Sequence, residues 1–454
     1  MDSENKYSQT PISNKIIESV LPTPLFSKSL KTLSKLASAT HNELYPDLAK
    51  SFPINFLEAI KTLQTSNNVR LGEIAKIKKG YTPSTKLPEL WNGNTPWLSI
   101  SGMKNKYISK TLKSISESAV KRGSVIPSDT LLMSFKLTVG RLAITKQELV
   151  TNEAICAFQW NNPDVISTEY MYYALSGKDF SKLANQAVQG LTLNDETLSS
   201  IQVQLPPLPE QQKIAEFFTL LDERISKQSE KIAALKDLKK GYTQRIFNQE
   251  LRFKDENGSE YPPASKQELS NLATVLHGYG FTPSLYVEGE YSVVTIANVR
   301  DKKYVDTKNS NTVNRLPQGI EPHQILRKGD ILISLTGNCG RVSTVNTDNL
   351  LLNQRVGLLW LNEMGIKTLN REYLYQILSS GDFEIKMMLW GNGSAQKNIL
   401  NKHVLKYNIL VPSLSEQQKI ADFLSIFDEK IEAEEKKLEL LKEQKQGYMQ
   451  RIFT

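Results

Sequence analysis

The sequence predicts an α+β chain built as a pseudo-two-fold repeat: two strand-rich modules and two long helices that pair as an intramolecular coiled coil. Three observations carry this. The segment Glu210 to Phe247 recurs without a gap as Glu416 to Phe453. Each copy holds a sustained apolar seam, and the stretches in front of the copies echo one another weakly. Roughly 20 of about 38 aligned positions in the two segments are identical, which sets the architecture before any other argument.

The helices come first. Both copies open Glu-Gln-Gln-Lys-Ile-Ala and close Gln-Arg-Ile-Phe. In the first, spacings of four and three pick out Ile214, Phe218, Leu221, Ile225, Gln228, Ile232, Leu235, Lys239, Tyr242 and Ile246. In the second they pick out Ile420, Leu424, Phe427, Ile431, Glu434, Leu438, Leu441, Lys445, Tyr448 and Ile452. This is a heptad seam. Polar residues fall at the fifth and eighth seam positions of both copies, a shared defect expected of two helices that pair with each other. The rival reading is two unrelated amphipathic helices, each covering its own module. Each helix would be about 55 Å long at 1.5 Å per residue. The prolines in Leu205-Pro206-Pro207-Leu208-Pro209 and Leu410-Val411-Pro412 predict an extended exit from the preceding module.

The modules are read from matched short runs. Tyr81-Thr82-Pro83-Ser84 is echoed by Phe281-Thr282-Pro283-Ser284, and Trp97 to Ile100 and Ser292 to Ile296 read as strands. Ser128 to Ser134 matches Gly329 to Ser334, followed by turns at Gly140-Arg141 and Gly340-Arg341. Glu169 to Leu183 and Arg371 to Leu389 read as helical. The resulting division is an N-terminal extension at 1–68, partly helical through Phe56 to Leu63, and a module at 69–208. A helix at 209–250, a charged turn-rich linker at 251–267, a second module at 268–413 and a second helix at 414–454 complete it.

Composition excludes more than it assigns. The net charge of +8 permits an anionic partner such as DNA. Two isolated cysteines, Cys156 and Cys339, fit a reducing, cytoplasmic setting and no cysteine-rich metal site. No apolar run approaches the roughly 20 residues needed to cross a bilayer. Loop residues that suit phosphates or base edges fall at matched places. They are Lys78, Lys79, Tyr81, Lys86, Trp91, Lys104, Lys136 and Arg141 in the first module. In the second they are Tyr279, Arg300, Lys302, Lys303, Asn338, Arg341, Asn392, Gln396 and Lys397. Each, taken singly, reads as ordinary surface sooner than as a base reader. Catalytic signatures do not hold. Asn161-Asn162-Pro163-Asp164 has the wrong residues after its proline to hold a flipped base, and no phosphate-cradling Gly-x-x-x-x-Gly-Lys-Ser/Thr occurs. Asp129 and Asp330 read as turn caps and not as metal ligands.

With these residues in view the chain resembles the specificity subunits of type I restriction-modification enzymes. The carriers are Leu205 to Ala215 and its second version ending at Ala421, and the Gly-Tyr-x-Gln-Arg-Ile-Phe helix ends. Leu251 to Gly258 and Gly391 to Ile399 also fit. The resemblance implies a non-catalytic DNA-binding subunit. Its two modules would be target-recognition domains, each reading one half of a bipartite, asymmetric target in double-stranded DNA. Two antiparallel helices would set the gap. It further implies docking of two methyltransferase subunits, with restriction/translocase subunits joining for cleavage. No cofactor is expected in this chain; the methyl donor, and ATP with magnesium, would belong to the partners. Rival readings are a bivalent protein-binding scaffold and a solitary DNA-binding paralogue without an active enzyme partner.

Overall fold

The computed structural model describes residues 66–453 apart from 181–182, 184, 188–189, 301 and 392–396. The helix expected at Phe56 to Leu63, and the candidates Asn392 and Gln396, lie outside that set. The described chain forms two units, residues 66–229 with 437–453, and residues 230–436. The long helices run Leu208–Phe247 and Leu414–Phe453, so each unit takes one segment from each helix together with one strand-rich head.

In the first unit the head closes on itself. Its first strand, Asn67–Arg70, pairs antiparallel with its last, Gln202–Leu205, which hands the chain to the long helix. That strand begins two residues before the module boundary read from the sequence. The main sheet has five strands in the order Ala75–Lys79, Ile155–Trp160, Leu131–Ser134, Leu142–Thr145, Tyr107–Ile108. The central strands, largely apolar with Leu, Ile, Met, Ala and Phe, suit burial on both faces, and Leu131, Leu132, Met133 and Ile155 are fully buried. A smaller mixed sheet joins Thr95–Leu98 to Lys113–Ile115 and, in parallel, to Val150–Thr151.

The second unit repeats the plan. Ser265–Glu268 pairs with Asn408–Val411 to close the head. Its main sheet runs Ala273–His277, Val356–Leu361, Ile331–Ser334, Val342–Thr344, and its mixed sheet again has one parallel pair, Tyr291–Val294 with Leu350–Leu352. The linker is packed and not merely charged. Phe253 is buried against Phe423, and Arg252 pairs with the buried carboxylate of Glu416 at 2.8 Å.

The helical segments are antiparallel within each unit. In the first, Asp222 meets Lys445 while Phe217 meets Tyr448 and Phe218 meets Phe453. In the second, Lys231 meets Glu434, Lys239 meets Asp428, and Tyr242 meets Phe423 and Phe427. Phe218, Leu221, Ile232, Leu235, Tyr242, Leu424, Phe427, Ile431 and Leu441 are buried; Ile225, Leu438 and Tyr448 are half-buried. Burying one such side chain contributes about 1.5–3 kcal/mol, so the seam holds each pair without help from helix propensity. The polar seam residues have partners too: Lys239 and Lys445 each reach an aspartate of the opposite helix at 2.5 Å.

Three local expectations need correction. The stretches read as single helices are shorter. Thr168–Ser176 stops at Gly177, and Arg371–Leu378 is separated from Asp382–Trp390 by Gly381, whose φ of +82° interrupts the helix. The echo of Tyr81 with Phe281 is displaced as well. Tyr81 donates its N–H to the Thr151 carbonyl as Tyr279 does to that of Leu352, so Tyr279 is the structural counterpart of Tyr81. The two aspartates differ. Asp330 accepts the Arg327 N–H at 2.8 Å as a turn cap, whereas Asp129 pairs with Lys146 at 2.6 Å.

Candidate nucleic-acid interface

The first head gathers part of its predicted set. A cavity of about 550 Å³ is lined by Lys104, Lys106, Gly140, Arg141, Tyr172 and Ser176, among others, which brings Lys104 and Arg141 to one mouth. Arg141 is aimed by a bond from its guanidinium to the Ile100 carbonyl at 3.0 Å. The turn that carries it requires glycine: Gly140 has φ +85°, and a Cβ there would lie 2.6 Å from Phe180. Lys79 and Lys136 both lie over the Phe135 ring, at 5.2 and 5.5 Å, and Lys79 pairs with Asp195. Lys78 is half-buried on its strand and Lys86 is exposed. Tyr81 and Trp91 are anchors of their own head. The Tyr81 hydroxyl donates to the Ala119 carbonyl, and the Trp91 indole donates to that of Ser84 at 3.1 Å.

The second head places its set differently. Lys302 is exposed and Asn338 is exposed in the turn before Gly340. Arg300 pairs with Asp306 at 3.5 Å, Arg341 with Glu384 at 3.2 Å, and Lys397 donates to the Met388 carbonyl at 2.6 Å. Tyr279, like Tyr81, donates its hydroxyl to a loop carbonyl, that of Gln318 at 3.3 Å. Lys303 is not a free surface cation. Its side chain is 15% exposed and sits 2.8 Å from Glu372 and 3.5 Å from the Ser425 hydroxyl, between head and helix.

That position has a twin that sequence reasoning passed over. Lys106 is 12% exposed and contacts Glu169 at 2.6 Å, the Tyr173 hydroxyl at 2.9 Å and the Thr219 hydroxyl at 3.1 Å. Thr219 and Ser425 occupy the same place in the two helix copies, as do Asp222 and Asp428. Tyr173 donates to Asp222 at 2.8 Å, and Gln376 donates to Asp428 at 2.7 Å. Each head is thus joined to its helical segments by one lysine, one glutamate, one hydroxyl and one aspartate.

The repeated Glu-Gln-Gln motif also acquires a physical reason. Gln211 is fully buried: its carboxamide oxygen accepts the Ser167 N–H at 2.8 Å, and its amide donates to the carbonyls of Val165 at 2.9 Å and Pro206 at 2.7 Å. Gln417 makes the same three bonds, with the Asn370 N–H and the carbonyls of Thr368 and Pro412, each at 2.8 Å. A carboxamide is the one side chain that can both donate and accept in this way. The signal for it was present in the sequence as two identical glutamines at the entry of both helices.

Burial acts on the acids of the joints. It raises the Tyr173 phenol far above its usual range, as it does that of Tyr373, whose hydroxyl donates to the Leu410 carbonyl at 2.9 Å. The Cys156 thiol is pushed up to about 12 by burial, which leaves it an inert core group. Among the described residues no group of histidine, cysteine or acidic side chains could hold a metal ion, and no helix is long and apolar enough to cross a membrane.

The family described as type I restriction modification DNA specificity domain matches residues 64–237 and again 264–443. The MjaVIII type I restriction enzyme specificity subunit of Methanocaldococcus jannaschii is 24% identical over 401 residues, covering 85% of this chain and 91% of its own. The MjaIX specificity subunit of the same organism is 26% identical over 295 residues, covering 61% and 67%. The fold is that of the type I restriction-modification S subunit from M. genitalium, with a TM-score of 0.52 at 15% identity over 86% of this chain and 97% of that one. A chain from a study of complex assembly and conformational transition of the type I R-M system aligns at TM-score 0.53 and 17% identity, over 85% and 97%.

Proposed function

The chain belongs to the type I restriction-modification DNA specificity family, and we propose that it acts there as the non-catalytic subunit that addresses a bipartite, asymmetric DNA target. Each head reads one half, and the paired helices set the gap and dock two methyltransferase subunits. Restriction/translocase subunits join when the complex cleaves. Methyl donor, ATP and magnesium are bound by those partners and not by this chain.

One observation carries the reading. The two heads are joined to their helical segments by matching bonds, through Gln211 and Gln417 and through Lys106 and Lys303, while the side chains on the candidate loops differ from head to head. A uniform frame with dissimilar heads suits a target with dissimilar halves. Lysines and arginines supply affinity through phosphate contacts, and base-edge contacts supply sequence choice. Linking two weak heads raises overall affinity through effective concentration, provided the helical spacing matches the sites.

Single-molecule methylation mapping of DNA from cells co-expressing this chain with its methyltransferase partner tests the proposal. The expected result is one new methylated motif of two specified halves around a fixed gap. A stable complex that produces no motif would instead favour a protein-binding scaffold or a solitary paralogue. A scaffold would also lack the steep gain in DNA affinity expected as salt is lowered.

A further inference from the structure

We propose that Leu137 is a base-contacting residue of the first head, packing against a thymine methyl group at one position of that head's half-site. The inference rests on the reading of this chain as a DNA specificity subunit and adds to it one residue and the chemical group it touches.

Among the described residues four that are not glycine have positive φ: Asp129, Leu137, Gln249 and Asn349. Aspartate and asparagine enter this region readily because their short polar side chains bond the local backbone, and leucine has no such compensation. Leu137, at φ +66°, is the apolar exception. It is also 61% exposed, so packing within the head does not offset the strain.

The surrounding loop imposes the conformation. The Ser134 hydroxyl donates to the Thr138 carbonyl and accepts the Arg141 N–H at 3.0 Å, while the Gly140 N–H reaches the Ser134 carbonyl at 2.8 Å. Leu137 is further held in register with Leu191 by the strand ladder. The second head builds the same loop. Ser334 donates to Asn338 and accepts from Arg341 at 3.1 Å, and Gly340 bonds back to Ser334 at 2.9 Å. At the place of Leu137 it has Gly337, at φ +74°. The loop needs a left-handed residue, glycine meets the need, and the first head carries leucine instead. Strain maintained at an exposed position points to a contact outside the fold.

The neighbourhood names the partner. Lys136 precedes the leucine, and Lys79 shares the Phe135 ring with it, its pair with Asp195 lying at the surface. An apolar finger flanked by ammonium groups fits a duplex whose phosphates take the lysines. On a base edge in the major groove, the apolar group available to leucine is the C5-methyl of thymine.

The test uses the full chain in complex with its methyltransferase partner and compares wild type with Leu137→Gly. Glycine is the residue that the equivalent loop already accepts, so the variant folds. The wild-type motif is mapped first; absence of any motif would remove the specificity-subunit reading itself. With the motif in hand, Leu137→Gly should keep the second half and become degenerate at one A·T position of the first. Binding to the original site should fall about ten-fold, the usual scale for one base-pair contact. Deoxyuridine in place of the thymine at that position should weaken wild type by a similar factor and leave Leu137→Gly unchanged. An unaltered motif and affinity in Leu137→Gly, or equal sensitivity of both proteins to deoxyuridine at every position, overturns the proposal.

Discussion

The joints of the two heads use corresponding residues and reach opposite electrostatic outcomes. At the first, Lys106 is enclosed by the rings of Tyr107, Tyr172 and Tyr173, 4.9, 5.3 and 4.4 Å from its ammonium. Burial lowers its pKa and outweighs the hydrogen bond and charge of Glu169, and nearby Lys445 adds to the lowering. At the second, burial also pulls Lys303 down, but the hydrogen bond and charge of Glu372 prevail and the net shift is upward. The amide of Gln376 bridges Glu372 at 2.9 Å and Asp428 at 2.7 Å, where the first joint has the single hydroxyl of Tyr173. The two joints hold their geometry in common while the balance of desolvation against charge differs between them. Both lysines combine a glutamate with aromatic rings, but the rings stand closer at Lys106, whereas those of Tyr304 and Tyr375 lie 5.6 and 5.9 Å from Lys303.

The largest effects should appear where the joints agree. Gln211→Ala and Gln417→Ala each remove three bonds and leave buried backbone groups without partners, a loss of about 3 kcal/mol in the affected unit. Hydrogen exchange, read unit by unit, should show equal and local loss of protection. Unequal losses would mean that the two clamps are not equivalent. Next, Lys303→Met and Lys106→Met should each destabilise their unit by about 1–3 kcal/mol, since each strips a half-buried glutamate of its cation, with the larger loss at Lys303, where attraction exceeds desolvation. Denaturant titration of both variants would reverse the comparison if Lys106→Met proved the costlier. Gly337→Leu in the second head should cost about 1 kcal/mol, the left-handed penalty that the first head already carries at Leu137.

The smallest effect is in pH, and its sign differs between joints. Lys106 titrates below the ordinary value of 10.5, so the unfolded chain binds the extra proton and stability rises with pH up to 10.5. Lys303 titrates above 10.5, so its contribution is full below 10.5 and is lost as pH rises through the folded value. Denaturant midpoints measured across that alkaline range should rise less steeply in Lys106→Met and fall less steeply in Lys303→Met than in the parent.

The sequence made the helices legible because a heptad is a local, periodic signal, and their antiparallel pairing within each unit and the aspartate partners of Lys239 and Lys445 agree with it. The strand-rich heads were legible as runs and turns, although their register was not. Tyr81 was set against Phe281 because Thr-Pro-Ser follows both, yet the backbone pairs it with Tyr279. The joints were hidden for a different reason. Lys106 lies in a Lys-Asn-Lys loop and Lys303 in an Arg-Asp-Lys-Lys loop, and both look like surface. Their carboxylate partners are 63 and 69 residues away along the chain (169 − 106 and 372 − 303), a separation that no local pattern reveals.

The two glutamine clamps bear on how such a chain can change over time. Gln211 and Gln417 meet their heads only through main-chain atoms: one amide hydrogen and one carbonyl in the head, and one carbonyl in the proline entry. Peptide groups are the same whatever residue carries them, so this socket is blind to the head's side chains. At this socket, substitutions in a head, or a foreign head with the same connecting loop, call for no compensating change in the helix. The glutamine sockets therefore place no demand on the head's side chains, and that demand falls on the joints of Lys106 and Lys303, where head side chains do meet the helices.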